Sequence, residues 1–330
     1  MGQIKTLAAL GLTAQGGRQA NITGLAVDSR EVKPGFLFAA LPGTKVHGAE
    51  FIQYALRQGA GAILTDATGA RLAQDFLSLS DAALVVAEDP RQTLAFAAAL
   101  WFGAQPETMV AVTGTNGKTS VTTFTRQIWE RLGFSAVNLG TTGVEGAYSA
   151  PLGHTTPEPI TLHRMLAKCE LAGVTHGAME ASSHGLAQRR LDGVHLMAAG
   201  FTNFTQDHLD YHASFDEYFA AKAGLFARVL PEDGVAVINI DDPRGAEMAS
   251  IATERGQDLI TVGRAPGADL RLIAQRFDAT GQVLRFEWED DVNQLRLDLI
   301  GGFQAENVLL AAGLVIGAGA DSERVFEVLP

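Results

Sequence analysis

The apolar run Met109-Val110-Ala111-Val112 leads directly into Thr113-Gly114-Thr115-Asn116-Gly117-Lys118-Thr119-Ser120, and a helical pattern follows to about Leu132. A short apolar run reads as a buried strand, and two glycines let the backbone turn tightly before the helix begins. Few folds accept strand, glycine loop and helix in so little chain. It is the opening of a βαβ unit, with the loop at the carboxyl end of a parallel strand. The spacing then repeats, with strand-like runs near 109–113, 136–139, 176–180, 197–202 and 235–240 and helical patterns between them. This predicts an α/β fold whose central domain is a doubly wound, mainly parallel sheet carrying a P-loop, with ligands gathered beyond the carboxyl ends of its strands.

Upstream the alternation is shorter. Ile22 to Val27, Gly35 to Ala40, Ala62 to Leu64 and Ala83 to Val86 read as strands, and Glu50 to Gln58 and Arg91 to Trp101 as helices. Phe102-Gly103-Ala104-Gln105-Pro106 breaks the last helix, so a small amino-terminal α/β domain is expected over residues 1–104 and the central domain over 105–330. Asp269 to Ile300 alternates as antiparallel strands around a turn near Asp290-Asp291, and Gln304 to Ile316 reads as a helix. The last residues, from Asp321, read as the opening of another helical segment.

At 330 residues the chain is long enough for two cores, and 47% hydrophobic with 19% charged residues is a globular composition. A net charge of −12 argues against a nucleic-acid partner bound through phosphate neutralisation. The single cysteine, Cys169, fits a reducing compartment, and its place in a helical pattern reads as core. Leu7-Ala8-Ala9-Leu10 is too short for a signal peptide, and no run is suited to membrane insertion, so a cytoplasmic protein is expected. The permissive myristoylation match at Met1-Gly2 reads as chance.

The loop has its own chemistry. Gly114 and Gly117 allow the N–H groups of Thr115, Asn116 and their neighbours to face a phosphate chain, Lys118 supplies a point charge, and Thr119 and Ser120 supply hydroxyls, Thr119 being suited to magnesium. The positive end of the following helix dipole faces the same anion. The general pattern G-x-x-x-x-G-K-[ST] is not met literally, because Val112 stands where its first glycine belongs.

Further motifs follow later strands: Glu180-Ala181-Ser182-Ser183-His184-Gly185-Leu186, then Asn203-Phe204-Thr205-Gln206-Asp207-His208-Leu209-Asp210-Tyr211-His212, then Tyr218-Phe219-Ala220-Ala221-Lys222. With Asp28-Ser29-Arg30 and Pro42-Gly43-Thr44, this ordered set resembles the Mur ligases of bacterial cell-wall synthesis over essentially the whole chain, and within them the MurE type. In that family T-G-T-N-G-K-T is the normal form of the loop. The resemblance implies an ATP-dependent ligase that adds the third residue, a diamino acid such as meso-diaminopimelate, to UDP-N-acetylmuramoyl-L-alanyl-D-glutamate through an acyl phosphate.

It also implies roles for residues. Gly114 to Ser120 bind ATP, and Asn307 contacts the adenine. Thr119, Glu180, His208 and Lys222 hold Mg2+, Lys222 as the carbamate formed with carbon dioxide. That reaction needs the neutral amine, which burial or nearby positive charge favours. Lys118, Glu180 and Lys222 are the expected catalytic set. Ser29, Thr44, Lys45 and Val46 match positions that bind the uridine diphosphate in a first, substrate-binding domain. His154, Thr155, Thr156, Ser182, Gln188 and Arg190 match the rest of the nucleotide-sugar site, although His154 stands where asparagine is frequent. His212 reads as structural. Asp241-Asp242-Pro243-Arg244 resembles a diaminopimelate-selecting motif, yet that motif belongs to another domain, and here it reads as a turn.

The family has a carboxyl-terminal, amino-acid-binding domain that is absent before Pro330, so the chain is expected to bind its nucleotide-sugar, and ATP weakly, with little ligation alone. The MurF and folylpolyglutamate synthetase types are disfavoured by Glu180 to Leu186 combined with Thr155-Thr156-Pro157. A noncatalytic nucleotide-binding module is the alternative from a different class.

Overall fold

The computed structural model describes residues 3–43, 45–205 and 212–329 and divides into two units, residues 1–104 with 158–165, and residues 105–157 with 166–330. In the first unit β1 (Lys5–Thr6) pairs antiparallel with β2 (Asn21–Ile22). A separate parallel sheet runs β3 (Gly24–Ala26), β4 (Phe36–Ala39), β5 (Ala62–Thr65) and β6 (Ala83–Val86) in that order. The single strand expected from Ile22 to Val27 is therefore two. Thr23 divides it, because its N–H donates to the Gly35 carbonyl and its hydroxyl to the Pro34 carbonyl, committing that backbone to the 34–35 turn.

The helices of this unit are α1 (Ile52–Arg57), α2 (Ala67–Leu72), α3 (Gln74–Ser78) and α4 (Pro90–Phe102). α4 starts on Asp89, whose carboxylate accepts from the Gln92 N–H, has Pro90 in its first turn, and stops at Gly103 with φ 70°. Leu25, Leu37, Leu64, Val85 and Leu94 are buried together, each such side chain contributing roughly 2 kcal/mol of apolar burial.

The second unit is built on a ten-stranded sheet. In chain order its elements are β7 (Thr108–Thr113), α5 (Lys118–Arg131), β8 (Ala136–Gly140), β9 (Gly143–Gly146), α6 (Pro159–Leu171), β10 (His176–Glu180), α7 (Ser183–Ala187), β11 (Ala198–Phe201), α8 (Phe215–Gly224), β12 (Val235–Asn239), α9 (Gly245–Glu254) and β13 (Asp258–Gly263). There follow β14 (Leu270–Phe277), β15 (Gln282–Trp288), β16 (Asp291–Leu297), α10 (Phe303–Gly317) and α11 (Ser322–Glu327). The residues of α6 before Leu166 cluster with the first unit.

Strands β8, β10, β7, β11, β12, β13 and β14 lie side by side and parallel, with β9 antiparallel at one edge and β15 and β16 at the other. The Asp269 to Ile300 run thus extends the same sheet as three strands. Its second turn falls at Glu289 and Asp290, both left-handed with φ 51° and 69°. α10 is apolar nearly all round, so it is buried, packing with α5 over Val110, Val112 and Val237. Cys169 is fully buried in α6, and burial pushes its thiol up to about 11, leaving it inert. Asp241 to Arg244 forms a turn after β12, where Asp242 accepts from the Arg244 and Phe204 N–H groups.

Candidate functional site

β7 sits between β10 and β11, so the loop after it opens at the middle of the sheet, where strand order reverses. Gly114 has φ 144°, and a Cβ there would lie 1.8 Å from Thr202 Oγ1; Gly117 has φ 87°, and a Cβ would lie 2.7 Å from Asn307 Oδ1. Only glycine fits either place. α5 begins at Lys118 with no side chain capping its first amides, the arrangement that leaves N–H groups for an anion. Lys118 Nζ donates to the carbonyls of Gly114 at 2.9 Å and Thr115 at 2.8 Å.

The loop is tethered from behind by the segment after β11. Asn203 Oδ1 accepts from Asn116 N–H at 2.9 Å, Thr202 Oγ1 donates to the Asn116 carbonyl at 2.6 Å, and Thr115 Oγ1 accepts from Thr205 N–H at 3.0 Å. Asn239 in turn donates to the Thr202 carbonyl at 2.7 Å.

Glu180 ends β10, in register with Val112 of β7, and is 1% exposed. Its Oε1 accepts from Thr119 Oγ1 and from the Thr141 N–H, both at 2.9 Å, and its Oε2 accepts from Thr141 Oγ1 at 3.3 Å. Gly140 makes room for this carboxylate, since a Cβ there would stand 2.1 Å from Oε1. On α8, Lys222 is equally buried; its Nζ donates to the Gly114 carbonyl at 2.7 Å and lies 4.5 Å from the centre of the Tyr218 ring. Lys118 and Lys222 thus share the Gly114 carbonyl oxygen of the loop. A single π-helical turn, Leu225–Val229, ends that helix.

Beside Glu180 lies the segment from His154 to Pro157. His154 is exposed and Thr155 half-buried, with Thr155 Oγ1 3.1 Å from Thr141 Oγ1. Thr156 is buried and engaged internally: its hydroxyl donates to the Glu180 carbonyl at 2.8 Å and accepts from Ser182 N–H at 3.1 Å. Ser182 Oγ caps α7 through the Gly185 N–H. Arg190 donates to the Thr156 carbonyl at 2.6 Å and to Gln188 Oε1 at 2.8 Å. These residues therefore form one bonded wall around the carboxylate.

Asn307 lines a recess of about 150 Å³ with Asn116, Gly117, Ser120, Asn203 and Glu306. Burial pushes the Glu306 carboxyl above its ordinary value, with the Arg264 guanidinium 3.4 Å away pulling the other way. In the first unit a separate cavity of about 660 Å³ is lined by Ser29, Val46, Asp28, Phe38 and Tyr54 among others, while Lys45 is exposed. Thr44 and His208 lie outside the described residues.

The residues that sequence reasoning missed are Thr141, Thr202, Asn239 and Glu306. All but Glu306 sit at the carboxyl ends of parallel strands of the sheet, and that position was the signal available for them. Among the described residues no group of three or more His, Cys, Asp or Glu could hold a metal ion. The hard oxygens of Thr119 and Glu180 nonetheless suit magnesium, which takes few protein ligands and completes its shell with phosphate and water.

A sequence model of the Mur ligase middle domain matches residues 112–315, and one of the Mur ligase family catalytic domain matches residues 21–100. The chain belongs to the Mur ligase family. Among the curated relatives of this Mur ligase is a UDP-N-acetylmuramoyl-L-alanyl-D-glutamate--2,6-diaminopimelate ligase from Caulobacter vibrioides, 48% identical over 315 residues, covering 93% of this chain and 63% of the relative. A protein of the same description from Brucella melitensis is 46% identical over 314 residues, covering 94% and 62%. This Mur ligase thus spans less than two thirds of the length of these relatives. A solved structure, again of a UDP-N-acetylmuramoyl-L-alanyl-D-glutamate--2,6-diaminopimelate ligase, superposes with a TM-score of 0.84 at 27% identity, covering 98% of this chain and 66% of that one. Mur ligases use ATP and Mg2+, and the loop with Thr119 and Glu180 has the donor set for both.

Proposed function

We propose that this chain carries the nucleotide-sugar-binding and carboxylate-activating parts of a ligase that joins diaminopimelate to UDP-N-acetylmuramoyl-L-alanyl-D-glutamate. The observation that carries the reading is the 2.9 Å hydrogen bond from Thr119, on the phosphate loop, to the buried Glu180 carboxylate, in a chain 48% identical to a diaminopimelate ligase. Residues 1–104 form the domain for the UDP moiety, with Ser29 and Val46 in its cavity, and Thr44 and Lys45 are assigned to the same ligand. Residues 105–330 form the ATP domain. Both ligands are cytosolic metabolites, which is why we place the protein in the cytoplasm.

In this reading the amides at the start of α5 and Lys118 hold the phosphates, and the recess at Asn307 takes the adenine. Thr119, Glu180, His208 and a carbamate on Lys222 are the residues that would hold magnesium. Bound magnesium screens the repulsion between the polyphosphate and the incoming carboxylate. The wall of Thr155, Thr156, Ser182, Gln188 and Arg190, with His154 at its edge, orients the dipeptide so that its γ-carboxylate faces the γ-phosphorus. A carboxylate oxygen bonds to that phosphorus as the bond to the β–γ bridging oxygen breaks and ADP leaves. The amine of the diamino acid then adds to the acyl carbon, phosphate departs and the nitrogen loses a proton.

Calorimetry with UDP-N-acetylmuramoyl-L-alanyl-D-glutamate tests the reading. Saturable binding is expected, and binding of UDP without discrimination in favour of the muramoyl dipeptide would overturn it.

A further inference from the structure

The buried Glu180 carboxylate accepts from Thr141 twice, Oε1 from the N–H at 2.9 Å and Oε2 from the hydroxyl at 3.3 Å. A carboxylate only accepts, so the single hydroxyl hydrogen of Thr141 is directed at Glu180. Thr155 Oγ1 stands 3.1 Å from Thr141 Oγ1. With the Thr141 hydrogen already committed, the bond between the two hydroxyls has one polarity: Thr155 donates and Thr141 accepts. The hydrogen of Thr155 is then spent inward, and its lone pairs repel a carboxylate arriving at the His154 to Pro157 segment.

We propose that Thr141 is a positioning residue that links Glu180 to the Thr155 segment by a directional hydroxyl relay, so that recognition of an anionic substrate group at Thr155 depends on what occupies Glu180. A cation that takes Glu180 Oε2 releases the Thr141 hydrogen. Thr141 then donates to Thr155, and the Thr155 hydrogen turns outward to the substrate carboxylate. The relay converts cation occupancy into a better donor at the substrate segment, a coupling free energy between two sites. This inference rests on the reading of Glu180 as a cation ligand and of Thr155 as part of the substrate wall. Thr141 lies in Gly140-Thr141-Thr142-Gly143, at the carboxyl end of β8 and next to the glycine that makes room for the carboxylate.

The test is calorimetric titration of the full chain with UDP-N-acetylmuramoyl-L-alanyl-D-glutamate, with and without magnesium and a non-hydrolysable ATP analogue. The unaltered chain and Thr141→Ser are expected to bind the dipeptide more tightly when the metal nucleotide is present. In Thr141→Val that tightening falls by about fivefold or more, an effect in the range of ordinary site coupling. The direct attraction between cation and carboxylate survives in the valine variant, so the lost portion reports the relay. The urea-unfolding midpoint of each variant serves as the control for folding. Should the valine variant not fold, Thr155→Val removes the outer hydroxyl only and must lose the same portion. Tightening equal to that of the unaltered chain in the folded valine variant overturns the relay while leaving the proposed function standing. Failure of the unaltered chain to bind the dipeptide at all overturns both.

Discussion

Lys222 Nζ donates a 2.7 Å hydrogen bond to the carbonyl of Gly114, a residue 108 positions earlier in the chain. The pairing sets the end of a buried lysine against the phosphate loop, where Lys118 also donates. An amine so placed is where a carbamate would bring an anionic oxygen to the loop. With 13C-labelled bicarbonate, magnesium and ADP, the protein is expected to show one carbamate carbonyl resonance by NMR that Lys222→Ala lacks. A spectrum without that resonance in the unaltered protein would refute the modification.

Gly140 is the position where one methyl group does most damage to the site. A Cβ would meet Glu180 Oε1 at 2.1 Å and its Cδ at 2.5 Å, and the backbone of β8 and the buried carboxylate have little freedom to part. Gly140→Ala is expected to cost on the order of 1–3 kcal/mol in urea unfolding, the usual range for overpacking. It should also weaken Mn2+ binding, followed by electron paramagnetic resonance in the presence of the ATP analogue. A variant as stable as the parent with undiminished Mn2+ affinity would show that the carboxylate is not confined as described.

His163 is 1% exposed, and its Nε2 has no hydrogen-bond partner among the described residues. Burial pushes its pKa from 6.5 down to about 4. Between those values the unfolded chain holds a proton that the native protein lacks, so the stability from the neutral ring is full above pH 6.5 and is lost as pH falls toward 4. The loss amounts to ~3 kcal/mol. His163→Leu, which cannot titrate, should therefore show a shallower decline of the urea midpoint between pH 7 and pH 4.5. Identical acid limbs for the two proteins would assign the decline to other groups.

Local order was plainly legible in the chain. The apolar run before Thr113, the glycines that follow and the periodic helix after Lys118 are consequences of nearest-neighbour sterics and of which face is buried, and each stands in the structure within a residue or so. Val112 as a departure from the general loop pattern proved to be a strand residue at the centre of the sheet, bonded to the backbone on either side. The break at Thr23 was not legible, because it depends on a carbonyl at Pro34 that meets Thr23 only when the chain has turned. Thr141 was missed for a similar reason: a threonine after a strand looks like any turn residue until a carboxylate arrives beside it.

Sequence alone determined that this chain is an α/β protein with a phosphate-type loop after a parallel strand, since periodicity, glycine sterics and the lysine and hydroxyl at the helix start are written in contiguous residues. The tertiary structure decided which acidic and cationic side chains share that loop. Thr119 meets Glu180 across 61 residues, Thr141 meets Glu180 across 39, and Lys222 meets Gly114 across 108. Those distances follow from the order β8, β10, β7, β11 in the sheet, which collects strand ends on one rim. That order is chosen by the packing of helices against strands over the whole unit, a free energy that no short segment carries.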